Sequence, residues 1–316
     1  LHHNYPFDPR YGYSLKDLLA VTAPPVPDDF ESFWRRRYWH TMAFRSEYKL
    51  TACGSHAGYQ INDISYTSTG GFTINGWLLI PEHQKITQGI VIGHGYGGRQ
   101  QPDYHLPMPG AVLFFPCFRG ISRSRCASVA ERPDQHVLHG IDNPHDYILG
   151  GCVEDLWVAV SVLLLLYPHI EGRIGYMGIS FGGGIGALAL PWDRRIARAH
   201  FNVPTFGNQP LRLKLPTVGS AAAVKQYSEQ HHHAFATLSY YDAAIAAGFA
   251  RKPAYFALGL FDPVVAPPGQ FSIYNAWAGE KTLFILDAGH FDYPNSAAQE
   301  QQLITALIDF FGEHSY

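Results

Sequence analysis

Three side chains, far apart in the chain, have the types and surroundings to act together. Ser180 lies in Gly178-Ile179-Ser180-Phe181-Gly182, a match to G-x-S-x-G, between a short apolar run and a run of small and apolar residues. Asp262 follows the apolar run 254–260, and His290 follows the apolar run 282–286. A serine hydroxyl is a weak nucleophile until a base takes its proton. That base is best an imidazole held in place by a carboxylate. Serine, then acid, then histidine, each after its own strand, is the chain order of one large class of hydrolases. Each residue alone has an ordinary explanation. The pentapeptide fits a Gly/Ser turn at a crossover, Asp262 before Pro263 suits a turn or helix cap, and His290 is one of 17 histidines. Asp287 and Asp292 are rival acids, although a carboxylate as close to the histidine loop as Asp287 has little freedom to reach back to the ring. Taken jointly, the three residues point to nucleophilic acyl transfer. That chemistry also needs two backbone N–H groups aimed at the developing oxyanion. Phe181, after the nucleophile, is one expected donor. Tyr96, in the glycine-rich loop His94-Gly95-Tyr96-Gly97-Gly98, is the other. The same loop is a poor phosphate cradle, since no Lys-Ser or Lys-Thr follows it.

Such groups must be carried on the carboxyl ends of neighbouring strands. Continuous apolar runs predict strands at 89–93, 111–115, 174–179, 196–203, 254–260 and 282–286. Helices are expected at 153–167, 271–278 and 303–311, and an antiparallel pair at 59–80 around the turn 67–71. Between residues 119 and 151 runs a long polar loop of the kind that shapes a site. Residues 1–51 read as an N-terminal helical extension. Ser14 caps its first helix, and its second starts at Pro27-Asp28-Asp29 and docks Phe30, Phe33, Trp34 and Tyr38 on the main body. Residues 204–250 lack strand character and read as a helical cap or lid. The fold class expected is therefore α/β: a mostly parallel, doubly wound sheet in one domain spanning 1–316.

Composition narrows the partners. The 316 residues are 47% hydrophobic and 16% charged, with a net charge of −3. Nothing drives the chain toward nucleic acid or anionic membrane. The apolar stretch around 158–166 is shorter than a membrane span, and the N-terminus lacks the pattern of a signal peptide. The four cysteines, Cys53, Cys117, Cys126 and Cys152, form no C-x-x-C motif and read as reduced thiols of a cytoplasmic protein. No metal is expected. Adjacent His231, His232 and His233 point in different directions on a helix, and His136, His139 and His145 with Asp142 or Asp146 fit no common zinc spacing.

The chain resembles the acetyl xylan esterase and cephalosporin C deacetylase family. The likeness runs from about Pro27 to the C-terminus through 28–34, Arg119-Gly120, the Ser180 turn, Asn202-Val203-Pro204, 238–244, Gly259-Leu260-Phe261-Asp262, Pro267-Pro268 and Tyr274-Asn275. It implies an α/β-hydrolase fold with Ser180, Asp262 and His290 as the triad, Tyr96 and Phe181 as oxyanion donors, and Pro204 at the substrate. It also implies a homo-oligomer without cofactor that removes small acyl groups, chiefly acetyl, from sugar or antibiotic alcohols. Two positions depart from the family's pattern. Ile121 stands where Arg-Gly-Gln is usual, and Phe291 where His-Glu is usual; the preferred acyl or alcohol group is what they put in question. A peptidase or acyl-peptide hydrolase on the same fold, and a non-catalytic binding protein, are the competing expectations.

Overall fold

Alternation along the central strands explains the architecture. In β4 (Gln88–Gly93) and β5 (Ala111–Pro116) every residue is buried. Val91, Val112 and Phe114 belong to one core cluster, while Ile90, Ile92, Leu113 and Phe115 belong to another. Successive side chains of a strand point to opposite faces, so the sheet is covered on both sides. The computed structural model describes residues 1–106 and 108–312; the last four residues of the expected 1–316 domain lie outside it.

Nine strands form one sheet in the order β1-β2-β3-β5-β4-β6-β7-β8-β9. β1 (Tyr48–His56), β2 (Tyr59–Thr67) and β3 (Thr73–Pro81) are antiparallel, and β3 pairs antiparallel with β5. From β5 onward, through β4, β6 (Ile174–Ile179), β7 (Ile196–Asn202), β8 (Ala254–Gly259) and β9 (Lys281–Leu286), every pair is parallel. This is the α/β-hydrolase arrangement expected. The helices are α1 (Leu15–Leu18), α2 (Phe30–Ala43), α3 (Pro133–His136), α4 (Ile148–Leu166), α5 (Phe181–Ala189), α6 (Gln209–Arg212), α7 (Ala221–Gln230), α8 (Ala234–Tyr240), α9 (Ala243–Ala247), α10 (Pro267–Ala276) and α11 (Ser296–Gly312). Buried residues of α2, α4, α5, α9 and α10 fill the first cluster, and Leu303, Leu307 and Phe311 of α11 fill the second.

Several boundaries differ from the sequence expectations. β1 begins at Tyr48, inside the stretch read as helical extension, and its residues are mostly exposed. α4 begins five residues early and takes in Gly150 and Gly151, because guanidinium groups fill the space their side chains would need: a Cβ at Gly150 would lie 2.6 Å from Arg37 Cζ, and one at Gly151 2.6 Å from Arg119 Cζ. α10 begins at Pro267 rather than 271, with proline in the first turn, where no intrahelical donor is needed. By length and composition α4 is apolar enough to cross a membrane, but 78% of its most apolar window is buried in the core.

Candidate active site

The G-x-S-x-G turn places Ser180 between β6 and α5 with φ 52° and ψ −111°. That conformation is strained for a residue with a side chain, at about 1–3 kcal/mol. Three backbone bonds hold it: Ser180 N–H to Asn202 C=O (2.8 Å), and Ser180 C=O from the N–H groups of Gly184 (3.0 Å) and Thr205 (3.1 Å). The flanking glycines are required by contact. A Cβ on Gly178 would lie 2.5 Å from Gly182 O, and one on Gly182 would lie 2.8 Å from His94 O.

Ser180 Oγ lies 2.8 Å from His290 Nε2, and His290 Nδ1 lies 2.8 Å from Asp262 Oδ2. A carboxylate only accepts, so Nδ1 carries the hydrogen, and in the neutral ring Nε2 accepts from the serine. Asp262 is fully buried, and all its partners are donors. Oδ1 takes the N–H groups of Val264 and Val265, both at 2.9 Å, and Oδ2 takes Gln270 Nε2 at 2.9 Å. The rival Asp287 is instead bonded to Gln299 and Asn295 (both 3.2 Å). The three residues singled out in the sequence thus meet at one edge of the sheet.

The side chains of the two expected oxyanion donors touch: the rings of Tyr96 and Phe181 stand 4.2 Å apart, centre to centre. No other group of the described residues takes either backbone N–H. The Tyr96 loop is tied down by groups that motif reading missed. Phe118 N–H donates to His94 Nε2 (3.0 Å), so His94 Nδ1–H donates to Gly95 C=O (2.6 Å). His136 Nε2–H donates to Arg119 C=O (2.9 Å), leaving Nδ1 to accept from Tyr96 O–H (2.9 Å). Burial lowers both imidazoles to about 4, so both are neutral. Arg119 is itself gripped by buried Asp155, with Nη2 to Oδ1 at 2.6 Å and Nε to Oδ2 at 3.0 Å. Burial presses the guanidinium pKa down, but Asp155 outweighs it and holds the pKa above its usual value. Of this chain of contacts, Arg119-Gly120 was singled out in the sequence and Asp155 was not.

Pro204 is buried, with its Cα 2.9 Å from where a Cβ on Gly183 would sit. Ile121 is buried beside Gly98, and Phe291 packs on Phe261, with ring centres 4.9 Å apart. His231 stacks on Tyr227, and His233 pairs with Asp142 at 2.7 Å. Among the described residues no group of three His, Cys, Asp or Glu side chains is placed to hold a metal. All four cysteines are free thiols.

A family model described as acetyl xylan esterase matches residues 15–308. An acetyl xylan esterase from Paenibacillus sp. R4 superposes with a TM-score of 0.81 at 22% identity, over 93% of this chain and 99% of that one. Acetyl xylan esterase 1 from Thermoanaerobacterium sp. JW/SL YS485 gives 0.77 at 19%, over 95% and 99%. An acylaminoacyl peptidase from Pyrococcus horikoshii gives 0.63 at 14%, over 82% of this chain but 43% of that one. No curated protein matches the chain.

Proposed function

The chain belongs to the acetyl xylan esterase family, and from that premise we propose that it is a serine ester hydrolase removing acetyl and similarly small acyl groups from sugar alcohols. The observation that carries this reading is the relay of two 2.8 Å contacts, Ser180 to His290 to Asp262.

The proposed reaction runs through this relay. Ser180 Oγ attacks the ester carbonyl as its proton passes to His290 Nε2. The imidazolium so formed faces the Asp262 carboxylate, whose lone pairs are already engaged by three other donors and so keep it from turning away. Charge developing on the carbonyl oxygen meets the N–H groups of Tyr96 and Phe181. Collapse breaks the ester C–O bond, and the alcohol leaves with the proton from Nε2. Water then repeats the cycle on the acyl-serine, giving the carboxylic acid and free Ser180. No metal or cofactor enters any step. Within residues 204–250, α9 packs on α5 and α10 in the core, so the cap proposed here is confined to α6, α7 and α8, which follow Pro204.

Ser180→Ala is expected to keep the thermal midpoint and to lose hydrolysis of aryl acetates and acetylated xylo-oligosaccharides by a factor of about 10³ or more. Full turnover in that variant overturns the assignment. Equal hydrolysis of aminoacyl amides and acetyl esters by the parent protein would favour the peptidase reading instead.

A further inference from the structure

The family match begins at residue 15, yet the segment before it reaches the catalytic residues. Exposed His2, Asn4, Pro6 and Asp8 alternate there with half-buried His3, Tyr5 and Phe7. A period of two marks an extended strap with one face turned to the body of the molecule. Ring centres are 5.7 Å apart from His3 to Tyr5, 5.7 Å from Tyr5 to Phe7 and 5.8 Å from Phe7 to Tyr11. A turn closed by Tyr11 N–H to Asp8 C=O (2.9 Å) ends the strap, with φ 56° at Tyr11 and 73° at Gly12.

The strap lands on both catalytic loops. Pro9 C=O accepts the N–H of Asp262 itself (3.0 Å). The Tyr11 hydroxyl lies 2.8 Å from Pro216 C=O and 3.4 Å from Asp262 C=O. Burial and the nearby Asp262 carboxylate raise its pKa, so it stays a donor. Beyond Pro216, the Thr217 hydroxyl donates to Val264 C=O (2.6 Å) and Val218 N–H to Pro263 C=O (3.0 Å). The strap and this segment therefore brace the acid loop together. On the other side, His290 has φ 47°, a left-handed conformation that a side chain disfavours and that its surroundings must enforce. Gly289 N–H donates to Phe261 C=O (2.8 Å), and Phe291 packs on Phe261 at 4.9 Å. The strap covers this pair: the His3 ring stands 5.4 Å from Phe261, and the Tyr5 ring meets Phe291 edge to face at 6.2 Å.

We propose that residues 3–11 are a positioning strap for the relay. Pro9 and Tyr11 set the backbone of Asp262, and His3 and Tyr5 set the His290 turn through Phe261 and Phe291. The strap acts through the acid and the base, so it governs kcat rather than KM. It rests on the ester-hydrolase reading only for the choice of assay substrate.

The test uses the full chain carrying Tyr5→Ala, Tyr5→Phe or Tyr11→Phe. Each is assayed with 4-nitrophenyl acetate and for the rate at which a fluorophosphonate labels Ser180. Tyr5→Ala is expected to lower kcat about tenfold with KM within about twofold of the parent, and to slow labelling to match. Tyr5→Phe keeps the ring and restores both. Tyr11→Phe is expected to lower kcat about fivefold, again with KM little changed. Folded variants with the parent's kcat, or whose loss lies in KM, overturn the strap and leave the ester-hydrolase reading standing. A parent protein that is labelled but hydrolyses no acetyl ester removes that reading instead; slower labelling of the variants then supports the strap, and equal labelling rejects it. A parent that is neither labelled nor active overturns both. If Tyr5→Ala and Tyr11→Phe fail to fold, amide exchange in the parent decides. An Asp262 N–H protected from exchange supports its bond to the strap, and one that exchanges as freely as that of exposed Asn4 rejects it.

Discussion

Tyr96 has two separable duties. In the proposed mechanism its backbone N–H meets the oxyanion, while its hydroxyl donates to His136 Nδ1 at 2.9 Å. Tyr96→Phe keeps the N–H and the ring that packs on Phe181, and removes only the anchor. His136 Nδ1 is then left buried without a donor, at a cost of about 1–3 kcal/mol, and the loop gains freedom. The expected result is a fall in kcat of about tenfold with KM little changed, since the donor's aim matters most to the oxyanion. An unchanged kcat would show that the glycine-rich backbone holds its own shape. Gln270 plays a comparable part for the acid. Its Nε2 donates to Asp262 Oδ2 and Val265 C=O, and its Oε1 accepts Gly259 N–H. Gln270→Leu strands Val265 C=O and Gly259 N–H and leaves Asp262 Oδ2 with His290 alone, so a loss of about 2 kcal/mol or more of stability is expected by urea unfolding. Activity should fall with it as Asp262 loses its brace.

The elements connect these anchors to the core, and α4 does so through two glycines. On helix propensity alone, Gly151→Ala should stabilise by about 1 kcal/mol. The contact argues the opposite sign, since the new Cβ would lie 2.6 Å from Arg119 Cζ and 2.7 Å from Nε. Displacing Arg119 disturbs its bonds to Asp155 and the carbonyl that holds His136. A destabilisation of about 1–3 kcal/mol is therefore expected from denaturant unfolding, with reduced turnover in the folded fraction. The same glycines hid the start of α4 from sequence reading, because a Gly pair looks like a break until its neighbours are known. β1 escaped for another reason. Nearly all its residues are exposed, and a register shift falls between Ala52 and Gly54, so no apolar alternation marks it. α11 showed only its second half, because Leu303, Leu307 and Phe311 are its buried residues and the turns before them face solvent. By contrast, the central strands and the Ser180 turn were legible because burial on both faces and a strained turn each demand particular residue types. The three residues of the relay could be paired from chain order alone. The anchors His94, His136, Asp155 and Gln270 could not, since each works through a contact between segments distant in sequence.

Across the whole molecule, the buried imidazoles couple folding to pH. His94, His136 and His200 are each lowered to about 4, chiefly by burial, against about 6.5 in an unfolded chain. The folded state therefore binds fewer protons than the unfolded state between those values. The stability that the neutral rings contribute is complete above pH ~6.5 and is lost as pH falls toward ~4, by up to about 3 kcal/mol for each ring. Asp242 acts in the opposite direction. Burial pushes it up to about 6, despite backbone N–H bonds from Asn208, Gln209, Ala244 and Ile245 that pull it down. Its proton is retained on folding over the range where the unfolded carboxyl would release it, so Asp242 favours folding as pH falls below about 6. Three groups against one leaves a net loss, and the thermal midpoint should be flat near pH 7 and descend steeply from 6.5 to 4.5. His200→Asn separates the contributions, since its Nδ2 can replace Nδ1 in donating to Tyr255 C=O while nothing titrates. That variant should show a descent shallower by about one proton. A parent protein whose midpoint does not change between pH 7 and 4.5 would mean that the rings take up protons without unfolding, and that the edge of the sheet admits far more water than this packing allows.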